Sequence, residues 1–272
     1  MKTMSQLNSS VVVITGSSRG FGLAMAVEFQ RAGARVVLSS RDAAAVKRAV
    51  DGLPEPANAF GLACDVRDLS QVRGLADAAI ARFGQIDVWI NNAGISPGWG
   101  KTTAIDPALW HAAFETNFFG AYHGCRVALE KMLPRKRGYL INVLGAGATK
   151  PAPNQSAYGT SKTALARLTE TLAAEYAGSG VSILSVMPGM IWTDMLIKAE
   201  GVDEPRMRAR FEWAMRVFGN PPEVPARFVV ALVERGGASG KMHKLLSPRM
   251  FVPRIVGEML GAGKRNPHPW AS

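Results

Sequence analysis

Apolar positions along this chain fall into runs of two lengths. Short runs occupy Val11–Thr15, Arg35–Ser39, Ala59–Cys64, Val88–Asn91, Tyr139–Leu144 and Ser182–Met187, with a weaker one at Lys244–Ser247. Several are apolar throughout, without alternation, the pattern of strands covered on both faces. Longer amphipathic segments fill the gaps. They are Gly22–Ala32, Ala43–Gly52, Leu69–Phe83, Pro107–Asn117 running into Phe118–Leu133, Ser156–Ala177, Pro205–Val217 and Pro222–Arg235, and Met250–Leu260 reads as a short, mostly apolar helix. Strand and helix in alternation predict right-handed crossovers and an α/β fold, a doubly wound parallel sheet of about seven strands with helices on both faces. No repeat, low-complexity stretch or long linker divides the chain.

Composition changes this picture little. The chain has 272 residues, 47% hydrophobic and 19% charged, enough for a large core. No apolar stretch reaches the ~18 residues that span a bilayer. The first ten residues are polar and lack the apolar segment of a secretory signal. Cys64 and Cys125 are the only cysteines, and scattered thiols of this kind suggest neither a disulfide framework nor a metal site. His111, His123, His243 and His268 have no metal-ligand spacing. These features together predict a cytoplasmic protein without a metal. Charge is more distinctive. The net charge is +11, and residues 201–272 hold 12 Lys/Arg against 6 Asp/Glu. No nucleic-acid motif accompanies the excess, so it reads as a solvated basic face with an anionic-ligand pocket rather than a nucleic-acid surface.

The first strand runs into T-G-S-S-R-G-F-G, with Gly16, Ser18, Arg19, Gly20 and Gly22. Glycines at a strand–helix junction let backbone N–H groups approach a pyrophosphate, and the helix N-terminus adds positive dipole. The loop predicts a Rossmann-type dinucleotide site. The second strand ends in Ser39-Ser40-Arg41, with no carboxylate before Asp42. A carboxylate there would accept from the adenosine ribose, whereas Arg41 and Arg19 suit a 2′-phosphate, so the expected cofactor is NADP(H).

Tyr158 and Lys162 stand four residues apart in S-A-Y-G-T-S-K, on one face of a predicted helix. A cation beside a phenol favours the phenolate, so the pair is expected to lower the tyrosine pKa and exchange a proton with an alcohol or carbonyl.

These motifs, in this order over roughly residues 8–247, resemble the short-chain dehydrogenase/reductase family. The resemblance implies roles for further residues. Asp65 and Val66 would contact the cofactor's adenine side. Asn91-Asn92-Ala93-Gly94 would lie against the cofactor, as would Pro188, Gly189 and Thr193 of P-G-M-I-W-T. Asn117 would join Tyr158 and Lys162 as the third catalytic residue, holding a water for proton relay. The resemblance also implies a homodimer or homotetramer, with the helices after Pro107 and around Tyr158 at the interface. One member is absent. The family's active-site serine lies thirteen residues before the tyrosine, and that position is Gly145. Loss of such a donor commonly costs about 10²–10³ in rate. Three readings stand. Asn142, Thr149, Ser156 or the substrate supplies the donor; the backbone near Gly145 does so, with room gained for a bulky substrate; or the chain is a cofactor-bound sensor or scaffold with little turnover. The run from Gly145 to Lys162, with W-I-N-N-A-G and P-G-M-I-W-T-D-M-L, is similar to the chlorophyll b reductase branch. That likeness implies reduction of a formyl group on a large tetrapyrrole. The same residues would serve the reverse reaction, alcohol oxidation.

Residues 1–272 thus read as one catalytic domain. Within it, 190–220 is a substrate-side segment carrying Trp192, Met195, Leu196, Met207, Phe211, Trp213, Met215 and Phe218. Met and aromatic residues suit an adaptable lid over an apolar substrate, and equally ordinary helix packing. Trp99 belongs to a Pro-Gly loop that would line the same opening, beside Gly145 and Trp192. Residues 248–272 form a basic and apolar extension with Lys264, Arg265 and Trp270. Packing against the body or a partner subunit is the favoured reading for it, and peripheral membrane contact the alternative.

Overall fold

Among the described residues, nine strands follow one another along the chain. They are β1 (Val11–Thr15), β2 (Arg35–Ser40), β3 (Ala59–Ala63), β4 (Val88–Asn91), β5 (Gly138–Val143), β6 (Val181–Met187), β7 (Met190–Ile191), β8 (Gly219–Asn220) and β9 (Met242–Lys244). The computed structural model describes residues 7–197 and 205–260. Seven of the strands form one parallel sheet, in the order β3-β2-β1-β4-β5-β6-β9, and β7 pairs with β8 separately. The helices are α1 (Gly20–Arg31), α2 (Ala43–Asp51), α3 (Leu69–Phe83), α4 (Pro107–Phe114), α5 (Gly120–Met132), α6 (Ser156–Glu175), α7 (Asp194–Ile197), α8 (Pro205–Phe218), α9 (Glu223–Glu234) and α10 (Pro248–Met259).

Strand parity sorts the core into two layers. Val12 and Ile14 of β1 face Met25 and Phe29 of α1 and Val229 and Val233 of α9. Val11 and Val13 face the other way, toward Leu75 and Ala79 of α3 and Val127 and Leu129 of α5. Both layers are dry, so the strands need no polar alternation. Burial of one such side chain contributes about 1.5–3 kcal/mol. Aspartates start three helices. Asp42, Asp68 and Asp106 accept from backbone N–H groups in the first turns of α2, α3 and α4.

Two expectations need correction. The last strand is Met242–Lys244, earlier than Lys244–Ser247, because its pairing with Ser185–Met187 of β6 sets the register. The helix across Pro107–Leu133 is not uniform, since Glu115–Phe119 forms one π-helical turn between α4 and α5. Lys264, Arg265, His268 and Trp270 lie outside the described residues, as does the side chain of Met207.

The chain reverses its winding between β1 and β4. The C-terminal ends of β1, β4, β5 and β6 therefore open onto one edge, where such sheets bind ligands.

Candidate active site

Thr15 ends β1, and its Oγ1 accepts from the backbone N–H groups of Asn92 and Ala93, both at 3.1 Å. The Asn92 amide donates to the carbonyls of Thr15 and Gly16 at 2.9 and 3.0 Å. The glycine loop and the segment after β4 are thereby sewn together. Gly16 has φ +64°, and a Cβ there would lie 2.7 Å from the Ala93 Cα. A Cβ on Gly22 would come equally near Ser17 Cα and the Asn92 amide. Only glycine fits either place. Thr193 approaches the open side of Gly20, 3.4 Å from where its Cβ would stand. Arg19 reaches across to Asp194 at 3.4 Å. Thr193 and Asp194 thus lie against the loop, while Gly189, nearer β6, packs beside Leu246. Ser18 is half-buried within the loop.

At the end of β2, Ser40 is half-buried and Arg41 exposed. The Asp42 carboxylate is taken by the α2 cap, accepting from Ala45 N at 3.0 Å. After β3, Asp65 is held by the Arg67 guanidinium, which keeps its carboxyl below the usual range; Arg41 adds a smaller pull in the same direction. Val66 is buried against Gly120.

Lys162 and Asn117 converge beside Gly94, and Tyr158 stands one turn before Lys162 on α6. Asn117 is fully buried within the π turn. Its Oδ1 accepts from Ile95 N at 2.8 Å, and its Nδ2 donates to Ile95 O at 2.9 Å and Ser161 Oγ at 3.1 Å. Ser161 donates onward to the Tyr158 carbonyl at 2.8 Å. The Lys162 ammonium donates to Val143 O at 2.9 Å and lies 5.7 Å from the Tyr158 ring centre. A Cβ on Gly94 would be 3.1 Å from Asn117 Oδ1 and 3.6 Å from Lys162 Nζ. π turns recur at functional sites because they shift which backbone and side-chain groups face inward.

The electrostatics differ from the sequence expectation. Tyr158 is half-buried with its hydroxyl against Gly145, and burial pushes its pKa up to about 12. Burial also brings Lys162 down to about 8. In the protein alone the phenol is therefore raised, not lowered. Desolvation outweighs the neighbouring cation because it penalises both charged forms.

Gly145 touches the tyrosine directly. A Cβ at that position would overlap the Tyr158 hydroxyl and lie 2.9 Å from its Cε1 and Cζ. Two residues on, Gly147 has φ +93° and packs against Gly159 of α6, where any Cβ would overlap the Gly159 backbone. None of the three side chains named as substitute donors contacts the phenol. Asn142 is fully buried, bonded to Asn91 and Thr169 at 2.8 and 2.9 Å. Ser156 accepts from the Trp110 indole at 3.2 Å. Thr149 is exposed.

The two tryptophans part company. Trp99 meets Phe211 of α8 edge-on, with centres 5.6 Å apart. Its loop is tied to the approach to α6 by Gly100 N donating to Asn154 O at 2.9 Å. Trp192 instead braces β7 and β8, its backbone N–H donating to Asn220 O at 2.9 Å and its indole to Met215 O at 3.3 Å. Sequence reasoning missed Ser161, the Val143 carbonyl and the Gly147–Gly159 contact. Ser161 stood in the T-S-K run; the other two leave no local signal.

The family model described as short chain dehydrogenase matches residues 10–202. Chlorophyll(ide) b reductase NOL of Arabidopsis thaliana is 35% identical over 240 residues, covering 85% of this chain and 67% of its own. 3beta-hydroxysteroid dehydrogenase 1 of Eggerthella lenta is 36% identical over 228 residues, with 81% and 85% covered. Among solved structures, a 3-ketoacyl-(acyl-carrier-protein) reductase from Brucella melitensis complexed with NADH superposes with a TM-score of 0.80 at 25% identity, covering 88% of this chain and 98% of its own. A single-residue variant of the actinorhodin polyketide ketoreductase with NADPH also gives 0.80, at 27% identity, covering 90% and 98%. With the glycine loop, the Asn117–Tyr158–Lys162 cluster and the sheet order on the same chain, the protein belongs to the short-chain dehydrogenase/reductase family and is an oxidoreductase.

Proposed function

We propose that this protein reduces a carbonyl to an alcohol with NADPH, and that its substrate is bulky and apolar. One observation carries the reading: the Tyr158 hydroxyl lies against Gly145, with Lys162 and Asn117 beside Gly94, at the edge where four strands end. The residues present fit a dinucleotide. Gly16 and Gly22 let the loop turn tightly against Asn92 and Ala93, where any Cβ would strike protein atoms, and this keeps the loop backbone free of side-chain bulk. Asp42 has its carboxylate engaged in a helix cap, while Arg41 is exposed, which favours a 2′-phosphate over a free ribose hydroxyl. Gly16, Ser18, Arg19, Gly20 and Gly22 would hold the phosphates, and Ser40, Arg41, Asp65 and Val66 the adenosine side. Asn92, Ala93, Gly94, Pro188, Gly189 and Thr193 would flank the nicotinamide half. When bound, the nicotinamide supplies the hydride to the carbonyl carbon.

The protein's share is the proton. Tyr158 remains protonated to about pH 12 and so holds a proton for the developing alkoxide throughout the physiological range. Lys162, fixed by Val143 O, provides positive charge below about pH 8. Asn117 is locked between Ile95 and Ser161, which fixes the π turn against α6. No serine hydroxyl is present at position 145, so the carbonyl oxygen relies on the phenol and on backbone N–H groups of residues 145–147, the Ala148 N–H being engaged with Gly145 O at 3.2 Å. Gly145 lets the Tyr158 hydroxyl occupy the place a side chain would take. Relatives named for chlorophyll(ide) b and for a 3β-hydroxysteroid, both polycyclic, agree with this substrate class; a formyl group on a tetrapyrrole is one member of it. Trp99 and Phe211 of α8 would cover such a substrate. No described helix is long and apolar enough to cross a membrane.

The test is Tyr158→Phe, assayed by NADPH absorbance over a panel of aldehydes and ketones, tetrapyrroles and steroids included. Turnover should fall by about 10²–10⁴-fold while NADPH affinity stays near wild type. Unchanged turnover would remove the phenol from the chemistry. A second reading rests on Gly145 alone: a wild type that binds NADPH tightly yet reduces nothing in the panel is a sensor or scaffold.

A further inference from the structure

Two neighbouring residues of α6 hold the loop after β5 at its two ends. The Lys162 ammonium donates to Val143 O at 2.9 Å, where the strand finishes. The next residue, Thr163, donates from Oγ1 to Gly147 O at 2.7 Å. Residues 144–146 span the interval between these bonds. Leu144 is tied to the sheet, its N–H donating to Val186 O at 2.9 Å. Ala148 is buried in one cluster with Leu165 and Ala166 of α6. Between them the chain passes directly over the phenol, since a Cβ on Gly145 would overlap the Tyr158 hydroxyl.

The Thr163 bond differs from those of its neighbours. A threonine hydroxyl inside a helix commonly returns to the carbonyl four residues back. Thr160, Thr169 and Thr171 of α6 do this, donating to Ser156 O, Leu165 O and Arg167 O. Thr163 lies nearer Gly147 O than Gly159 O, at 2.7 against 3.0 Å, and so reaches out of the helix. Bare backbones allow the approach. Gly147 has φ +93°, and a Cβ there would overlap the Gly159 backbone. Gly159 follows Tyr158, so the loop is packed on α6 beside the phenol. Thr163 itself is exposed and adds little to the core, which leaves the loop as what its hydroxyl serves.

We propose that Thr163 is a positioning residue for the proton-transfer site, fixing the backbone of residues 145–147 and with it the contact between Gly145 and the Tyr158 hydroxyl. The inference rests on the reading of Tyr158 as proton donor to a carbonyl. The Thr163 hydroxyl is engaged with Gly147 O and takes no part in the chemistry. With Lys162 at Val143 and Thr163 at Gly147, the loop resists lifting from α6 at either end. The phenol and the loop N–H groups then keep one spacing. A shift of about 1 Å at a reacting group can cost about 10²-fold in rate, and loss of one of the two bonds permits part of such a shift.

Two variants of the full chain test this. Thr163→Val keeps the outline of the side chain and removes its hydroxyl, whereas Thr163→Ser keeps the hydroxyl. Amide exchange across residues 144–150, followed by mass spectrometry, needs no substrate. It should quicken about tenfold in Thr163→Val and match wild type in Thr163→Ser. Turnover is followed by NADPH absorbance over the same panel of aldehydes and ketones, tetrapyrroles and steroids included. Thr163→Val should lower kcat about tenfold, with NADPH dissociation constant and melting temperature near wild type, and Thr163→Ser should restore kcat. The proposal is overturned if the loop of Thr163→Val exchanges like wild type, or if it loosens while kcat holds. It is equally overturned if kcat falls alike in both variants, because the hydroxyl is then not what matters. Full turnover in Tyr158→Phe would instead sink the reading of the phenol, and a wild type that reduces nothing in the panel would sink both.

Discussion

At the scale of single residues, Gly145 decides more than its missing hydroxyl suggests. Read as a lost donor, it invites the repair Gly145→Ser, with a gain of up to about 10²–10³. The contact with Tyr158 argues for the opposite. A Cβ would overlap the hydroxyl, so the ring must move before any serine can help it. Displacement of a reacting group by an ångström can cost about 10²-fold, and Gly145→Ser should lower kcat by roughly that factor with NADPH affinity preserved. A faster enzyme would show that the ring has room. The sequence revealed that a serine was absent, since the family resemblance places it thirteen residues before Tyr158, at position 145. It did not reveal what occupies the space, because that depends on how the 145–148 loop packs on α6. Titration is the second consequence at this scale. Tyr158 stays protonated to about 12, so it does not limit reduction at ordinary pH. Lys162 loses its charge near 8, and deprotonation removes the cation beside the phenol. The kcat/KM for reduction should be flat below about pH 8 and fall above it. A descending limb near 10 in the pH–rate profile would restore an ordinary lysine.

At the scale of elements, periodicity located the strands and helices well because both core layers are dry. Val11–Thr15, Leu69–Phe83 and Val88–Asn91 have the bounds that pattern alone suggested. The π turn escaped because E-T-N-F-F has no sequence mark that separates it from α-helix; its cause is tertiary, Asn117 bonding across to Ile95 and Ser161. The β7–β8 pair escaped for a similar reason, being two residues on each side and held by Trp192. The β2–α2 junction was legible in one half only. Arg41 was readable as a phosphate partner, but only the structure shows Asp42 committed to its helix cap. Arg41→Asp should therefore weaken NADPH by more than NADH, by about 1–3 kcal/mol for loss of a charged hydrogen bond. Comparison of the two dissociation constants checks this, and equal losses would detach Arg41 from the 2′-phosphate.

At the scale of the whole molecule, one helical run has two duties. Between Pro107 and Met132, its inward side carries Asn117 and its outward side leaves Leu109, Phe119 and Tyr122 exposed. Phe119 also packs on Phe114 and Phe118 at 6.2 and 5.2 Å, so the apolar face is continuous with an aromatic cluster. Exposed aromatics on a rigid helix suit a self-complementary interface, and a specific one would bury about 800 Å² on each partner. Assembly through this face would clamp the π turn from outside, two residues from Asn117. Leu109→Glu/Phe119→Glu should then lower the mass seen by light scattering to that of a monomer and reduce kcat with it. A monomer that keeps full kcat would separate assembly from the alignment of Asn117. An unchanged mass would move the interface elsewhere, leaving the aromatic cluster as packing for the turn alone.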